Sequence, residues 1–362
     1  MARPLSASTS SALLAGVLLG GGLTVGAAGA SIAGEGAGTA LQEPSPLATS
    51  TELARRTQTP ITFDRLQRYR AERGVSIDET PVELAEELFD VYLPRKAPAD
   101  GRHGLLVWIS PHELMPAPNA WRGALDEHGM ILASARRSGN QHGTLTRRMP
   151  LALHAAHALM QEHDIDPDRV YVGGFSGGAR AALRLAVGFP EVFRGAILNA
   201  GSDPMGSDAM SPPPAEQLAL LQERGRLVWV TGVRDLPNRR MEQESRDSMH
   251  AHCVGDLHSV SMSRTEHAPP DRRNFAKALD LLDPLDGHAT AAADRAPALR
   301  VCRAALAASV DAALSEVDAL IAAGDIAGAG ERLGAIDLRW GGLAAPRSVE
   351  LARQLAALRN GN

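Results

Sequence analysis

The fold is decided by the stretch Val170-Tyr171-Val172-Gly173-Gly174-Phe175-Ser176-Gly177-Gly178-Ala179-Arg180-Ala181-Ala182-Leu183. Its β-branched and aromatic residues predict a strand that ends near Phe175, and the Ala, Leu and Arg residues after Gly178 predict a helix. Between them lies the pattern Gly-x-Ser-x-Gly, centred on Ser176. In a strand–turn–helix context this pattern predicts a sharp turn that presents the serine hydroxyl above a sheet, at the positive end of the helix dipole.

Composition places the chain among globular proteins. Its 362 residues are 44% hydrophobic, which is enough for one large core and an appendage. The formal net charge is -5, so nothing in the charge balance indicates nucleic acid or an anionic membrane surface as a partner.

The N-terminal part of the sequence resembles an export signal. Arg3 is followed by an apolar stretch over 12–25 and by the small-x-small pattern Ala28-Gly29-Ala30. This order predicts a signal peptide over 1–30, cleaved near Ala30, although an uncleaved membrane anchor is an alternative. The Gly-, Ala-, Ser-, Thr- and Pro-rich residues 31–60 predict a flexible leader. We therefore expect a secreted or periplasmic protein with no stable membrane span after cleavage.

Strand and helix signals alternate through the middle of the chain. Apolar runs predict strands at 89–94, 104–110, 130–134, 196–199, 227–231 and 259–262, in addition to the strand before Ser176. Helical patterns lie between them, for example over 121–128 and 145–163. This βαβ alternation predicts an α/β domain over 61–285, with a mainly parallel sheet that is covered by helices on both faces.

The pattern changes after Pro284. Apolar residues recur at intervals of three and four over 300–324, and two further helical segments follow at 326–336 and 348–358. We expect residues 286–362 to form a small C-terminal helical appendage.

The sequence contains two cysteines, Cys253 and Cys302. In an exported protein they could form a disulfide that ties the end of the α/β domain to the helical segment. Two buried free thiols are equally compatible with the sequence.

A serine nucleophile needs a base that takes its proton and an acid that orients the base. Asp235 follows the predicted strand 227–231, and His267, one of twelve histidines, follows the strand 259–262. Because the carboxyl ends of parallel strands meet at one edge of the sheet, Ser176, Asp235 and His267 are predicted to converge there. Asp203, which follows the preceding strand, is the alternative acid.

Two further histidines have the spacing of metal ligands on a helix. His154 and His157 share one helix face, but no third metal ligand accompanies them, so a capping or solvated role is favoured.

For the oxyanion hole the first predicted donor is the amide of Gly177, directly after the serine. Because Pro111 has no N–H, the second predicted donor is the amide of His112.

The residues from 89 to 282 resemble the α/β-hydrolase fold, and within it the secreted esterases that include polyhydroxybutyrate depolymerase-like and feruloyl-esterase-like proteins. The resemblance is carried by the segments 166–172 and 189–193, the Asp235 loop and the His267 segment that leads into 275–279. It implies that Ser176, Asp235 and His267 are the nucleophile, acid and base. The family usually has a His-Gly motif with further glycines after the third strand, whereas this chain has Ile-Ser-Pro-His at 109–112.

These observations predict a serine hydrolase that cleaves small or polymeric carboxylic esters through an acyl-enzyme and needs no metal or organic cofactor. A peptidase or amidase on the same fold is one alternative. A binding or accessory protein with weak catalysis is another, favoured by the altered Pro111 loop and the helical tail.

Overall fold

The computed structural model describes residues 35–96, 98, 101–285 and 289–360. All of them belong to one compact unit. The predicted signal peptide and its cleavage point near Ala30 lie outside the described residues.

A single twisted sheet forms the centre of the described structure. Its eight strands are β1 (Glu35–Thr39), β2 (Phe89–Tyr92), β3 (His103–Ile109), β4 (Met130–Ala135), β5 (Ile165–Phe175), β6 (Gly195–Asn199), β7 (Arg226–Gly232) and β8 (Leu257–Met262). The spatial order is β1-β2-β4-β3-β5-β6-β7-β8. Among the described strands, β1 pairs with β2 and β2 with β4 in antiparallel fashion, while the neighbours from β4 through β3 to β8 all pair in parallel. The predicted mainly parallel α/β-hydrolase sheet is confirmed.

Helices cover both faces of this sheet, as predicted. The described helices are α1 (Ser50–Thr57), α2 (Pro60–Arg73), α3 (Asn119–Glu127), α4 (Met149–Glu162), α5 (Gly177–Gly188), α6 (Ala215–Arg224), α7 (Leu236–Ala251), α8 (Arg272–Leu282), α9 (Ala289–Ala322), α10 (Ile326–Trp340) and α11 (Arg347–Asn360). One face packs mainly against α1, α4, α5 and α6, and the other against α3 and α8.

Side chains of β3 show how one strand serves both cores. Leu105 and Val107 belong to the core under α4 and α5, whereas Leu106 and Trp108 belong to the core under α3 and α8. Successive side chains of a strand point to opposite faces, so a strand covered on both faces must be apolar throughout. This is why residues 104–110 form a continuous apolar run.

The expected flexible leader over 31–60 is wrong for the described residues. Glu35–Thr39 forms the edge strand β1, which pairs with β2. Leu41 and Leu53 are fully buried in the main core. Thr49 caps α1 by accepting a hydrogen bond from the amide of Glu52. Burial of these apolar side chains offsets the entropy of ordering the segment, which its small-residue composition had not indicated.

The C-terminal residues form helices, as predicted, and pack as a cluster of their own. α9, α10 and α11 share an apolar core with Ile61 of α2. A disulfide joins Cys253, after α7, to Cys302 in α9, so the predicted disulfide is present and the two cysteines are not free thiols.

The domain boundary at 285/286 stays a prediction. Among the described helices, none combines the length and apolarity that crossing a membrane requires.

His154 attaches the segment before α1 to the main core. It lies in α4 with 3% of its surface exposed, and its Nδ1 accepts a hydrogen bond from the Ser45 amide at 3.0 Å. Burial, with a smaller contribution from nearby His157, lowers the pKa of His154 to about 4. The ring is therefore neutral in the folded protein near pH 7.

Acid is expected to destabilise the protein through His154. Its pKa is near 6.5 in the unfolded chain, so the unfolded state binds a proton first as the pH falls, and stability is lost between about pH 6.5 and 4. The full shift corresponds to about 3 kcal/mol. In His154→Asn the side-chain oxygen can still accept from Ser45 but does not titrate. Urea unfolding measured from pH 7 to 4.5 should therefore show a smaller loss of unfolding free energy in the variant than in the wild-type protein. Equal losses in the two proteins would contradict this role of His154.

Candidate active site

Ser176 lies in a strained turn between β5 and α5. Its φ is 54° and its ψ -119°, in the half of backbone space that non-glycine residues rarely adopt. The amide of Ser176 donates to the carbonyl of Asn199 at 2.8 Å, which fixes the turn to β6. Its side chain is partly exposed. The serine is thus presented at the carboxyl end of the sheet, as Gly-x-Ser-x-Gly predicts.

Two glycines permit this turn. A Cβ on Gly174 would lie 2.4 Å from the carbonyl carbon of Gly178, and a Cβ on Gly178 would lie 1.9 Å from the carbonyl oxygen of Ile109. These neighbours are backbone atoms, which cannot move aside without shifting a helix or a strand. The close approach of α5 to β5 therefore requires glycine at 174, and its close approach to β3 requires glycine at 178.

Gly178→Ala is expected to lower the free energy of unfolding by about 3 kcal/mol, because the new methyl group would overlap the backbone of β3. Gly123→Ala is the matched control. Gly123 is exposed in α3, and its nearest neighbour would be 3.9 Å from the added Cβ. Alanine there should raise stability by up to about 1 kcal/mol. Urea unfolding measures both, and equal effects would refute the packing argument.

His267 links the serine to a buried carboxylate. Its Nε2 lies 3.0 Å from Ser176 Oγ, and its Nδ1 lies 2.7 Å from Asp235 Oδ2. Asp235 follows β7 and is 6% exposed, whereas the His267 side chain, after β8, is 44% exposed. The structure thus brings together the three residues that the sequence selects.

The two loops that carry Asp235 and His267 are packed against each other. The amide of Arg234 donates to the Thr265 carbonyl at 2.9 Å. A Cβ on Gly232 would lie 2.3 Å from the carbonyl oxygen of Glu266. The Phe175 ring lies 4.8 Å from the His267 ring, between centroids. These contacts hold the imidazole between the serine and the carboxylate.

Asn238 belongs to the same site and was missed by the sequence analysis. Its Nδ2 lies 2.9 Å from each carboxylate oxygen of Asp235 and 3.1 Å from His267 Nδ1. An amide donor here fixes the orientation of the carboxylate. A signal was present, because Asn238 comes three residues after Asp235, one turn along a predicted helix.

Asp203, the alternative acid, has different partners. It is 4% exposed at its side chain and forms ion pairs with Arg180 and, at 2.8 Å, with Arg184, both on α5. It ties the loop after β6 to α5, the helix that follows Ser176. The carboxylate at hydrogen-bond distance from His267 is that of Asp235.

The two predicted oxyanion donors differ in their surroundings. Gly177 begins α5 directly after the serine, and the Asn140 side chain lies against it, since a Cβ on Gly177 would be 2.3 Å from Asn140 Oδ1. The amide of His112, in contrast, donates to Ser110 Oγ at 2.9 Å. The N–H of His112 is therefore engaged within its own loop. Of the two predicted donors, Gly177 is the one that lies directly beside Ser176.

Loops that follow two strands of the sheet expose apolar side chains. Leu114 (58%) follows β3, and Val233 (41%) and Leu236 (70%) follow β7, the strand that leads to Asp235.

The strand order, the strained serine turn and the Ser176–His267–Asp235 contacts define the class as the α/β-hydrolase fold, with Ser176 in the sharp turn between β5 and α5 that is called the elbow. No protein-family model and no curated protein sequence matches the chain.

Solved structures that the chain resembles include a ferulic acid esterase (14% identity, TM-score 0.42, covering 55% of this chain and 91% of that one). An acetyl xylan esterase from Aspergillus awamori has 14% identity and a TM-score of 0.40, covering 54% of this chain and 94% of that one. A thermostable esterase has 15% identity and a TM-score of 0.37, and the match spans 49% of this chain and about half (51%) of the esterase.

Proposed function

We propose that this protein is a serine hydrolase that cleaves carboxylic esters through an acyl-enzyme. One observation carries the proposal: hydrogen bonds run from Ser176 Oγ through both nitrogens of His267 to the buried carboxylate of Asp235. A hydroxyl at a strained elbow with a base 3.0 Å away is the arrangement that activates a serine for acyl transfer.

In the proposed reaction, Ser176 Oγ attacks the ester carbonyl while His267 Nε2 takes its proton. Asp235 keeps the proton of Nδ1 on the far side of the ring and stabilises the imidazolium. The amide of Gly177 faces the developing oxyanion at the start of α5. His267 then gives its proton to the departing alcohol, and water, activated by the same ring, releases the acid from the acyl-enzyme. These steps use no metal or organic cofactor.

Two features support an ester substrate over an amide. The site is open, with His267 44% exposed, and the second predicted oxyanion donor is occupied by Ser110. An alkoxide leaves more readily than an amine, so an ester requires less stabilisation of the tetrahedral intermediate. The exposed side chains of Leu114, Val233 and Leu236 support a substrate with an apolar acyl or alcohol group.

We also propose that the protein acts outside the cytoplasm. The disulfide between Cys253 and Cys302 supports this, because such bridges persist in oxidising compartments.

Labelling with a fluorophosphonate probe tests the proposed activity. The wild-type protein should be labelled at Ser176, as located by mass spectrometry of a digest, and Ser176→Ala should not be labelled. Turnover of p-nitrophenyl esters and of matching anilides then separates an esterase from an amidase. A wild-type protein that neither reacts with the probe nor hydrolyses any of these compounds would be a binding protein, and the proposal would be wrong.

A further inference from the structure

Arg148 is a buried cation next to the site, with no role in the steps above. It is 4% exposed and lies directly before α4. Among the residues that the structure describes, no carboxylate forms an ion pair with it. Its hydrogen bonds go instead to three backbone carbonyls: Nε donates to Ser138 at 2.9 Å, Nη2 to Ser110 at 3.0 Å and Nη1 to Gly177 at 3.3 Å.

These three carbonyls belong to segments that are distant in the sequence but meet beside Ser176. Ser110 follows β3, Ser138 lies in the loop after β4, and Gly177 begins α5. In the sheet, β3 and β4 lie on one side of β5, while the strands that lead to Asp235 and His267 lie on the other. Arg148 therefore joins the wall of the site that lies opposite the proton-transfer residues.

Burial of a guanidinium without a carboxylate is costly, and desolvation lowers the pKa of Arg148. All of its side-chain nitrogens find acceptors, so the cost is partly offset by charge-assisted hydrogen bonds. The positive charge itself is not neutralised by a neighbouring anion. A group of this kind is complementary to negative charge that forms only during a reaction.

We propose that Arg148 is a positioning residue of the oxyanion hole. It holds Gly177 through its carbonyl, and so fixes the amide of Gly177 relative to Ser176 Oγ. Through Ser110 and Ser138 it also fixes the two loops that face the elbow. Its positive charge is hydrogen-bonded to the carbonyl of Gly177, the residue whose amide faces the oxyanion, and stabilises that oxyanion. This inference rests on the proposed hydrolase function.

The planar fork of arginine suits this task because it spans three acceptors in fixed directions. A lysine ammonium at the same position keeps the charge but is a single point, and cannot reach three carbonyls of separate loops at once. Arg148→Lys therefore separates the geometry from the charge, and Arg148→Gln removes the charge while keeping one donor group.

The test compares catalysis with transition-state binding. With p-nitrophenyl acetate, we expect Arg148→Lys to lower kcat by about tenfold and Arg148→Gln by about 100-fold, with KM changed less than about threefold. The inhibition constant of a phenylboronic acid, which forms a tetrahedral anion on Ser176, should rise by the same factor as kcat/KM falls. Replacing a residue that is needed only for folding would leave kcat/KM and the boronate inhibition constant unchanged in the molecules that remain folded.

Arg226→Lys is the matched control. Arg226 is another buried arginine, 8% exposed, at the amino end of β7, and it pairs with Asp256 at 3.0 Å. Its replacement should lower the unfolding temperature but leave kcat and boronate affinity unchanged. Active-site titration with the fluorophosphonate counts the folded sites in every sample. If Arg148→Lys does not fold, the kcat and boronate affinity of Arg148→Gln alone test the inference.

Three results would overturn the inference, and a fourth would refute the proposed function. Variants of Arg148 that keep wild-type kcat and boronate affinity would overturn it, and so would a change confined to KM. An equal loss of kcat in Arg226→Lys would also overturn it. A wild-type protein without Ser176-dependent hydrolysis would instead refute the proposed function itself.

Discussion

Ser176→Ala is expected to lower kcat for p-nitrophenyl esters by about 10⁵-fold or more, to the level left by binding and the oxyanion hole alone. The variant keeps a Cβ, so the backbone strain at φ 54° and the contacts of the elbow are unchanged. Its unfolding temperature should therefore lie within a few degrees of the wild-type value. Stopped assays on purified protein, with thermal unfolding of the same samples, measure both quantities.

Ser309→Ala serves as the control for this comparison. Ser309 is exposed in α9, and its Oγ donates to the Ala305 carbonyl at 2.9 Å, in the C-terminal helical cluster. Its replacement should leave kcat unchanged. If Ser176→Ala retained more than about a hundredth of the wild-type rate after rigorous purification, another nucleophile would have to be found.

The elbow, the triad positions and the parallel sheet could be predicted because their signals are local. Glycines two residues either side of Ser176, together with a preceding apolar run, specify a turn in the chain without reference to the rest of it. Asp235 and His267 each follow an apolar strand, and parallel topology alone brings such positions to one edge. The same reasoning did not distinguish Asp235 from Asp203 fully, since both lie at that edge.

Edge elements near the N-terminus were harder to predict. β1 reads Glu-Gly-Ala-Gly-Thr, with no alternation of apolar and polar residues, and it becomes a strand through its pairing with β2. The starts of α1 and α2 did carry local signals, because Thr49 and Thr59 are N-caps and Pro60 occupies the first turn of α2. The small-residue composition of 31–60 outweighed these signals in the sequence analysis.

Groups that act through backbone atoms leave the weakest signal. Arg148 contacts the carbonyls of Ser110, Ser138 and Gly177, and any residue type could supply those oxygens. The hydrogen bond from the His112 amide to Ser110 Oγ is likewise a property of one loop conformation. The wall of the site opposite Asp235 and His267 was therefore the part that the sequence defined least.

Asp235→Asn is expected to lower kcat by about 10³- to 10⁴-fold while KM changes little. The amide can present an N–H to His267 Nδ1, which favours the tautomer that carries its proton on Nε2. That nitrogen then cannot accept the proton of Ser176. Because Asn238 lies within 3.1 Å of His267 and contacts Asp235 itself, the imidazole is expected to stay in place, so the loss reflects the proton and not the position.

Asp203→Asn, at the alternative acid, is expected to lower stability while activity is largely kept. It removes the ion pairs with Arg180 and Arg184, which should lower the free energy of unfolding by about 1 to 3 kcal/mol, because both arginines are partly exposed. In folded protein its kcat should stay within about threefold of the wild-type value. Steady-state kinetics and urea unfolding of both variants decide between the two carboxylates. The reverse pattern, with activity lost in Asp203→Asn and kept in Asp235→Asn, would move the acid to the loop after β6. Since the imidazole would then have to leave Asp235 to reach that loop, the elbow would work only after a rearrangement of the His267 segment.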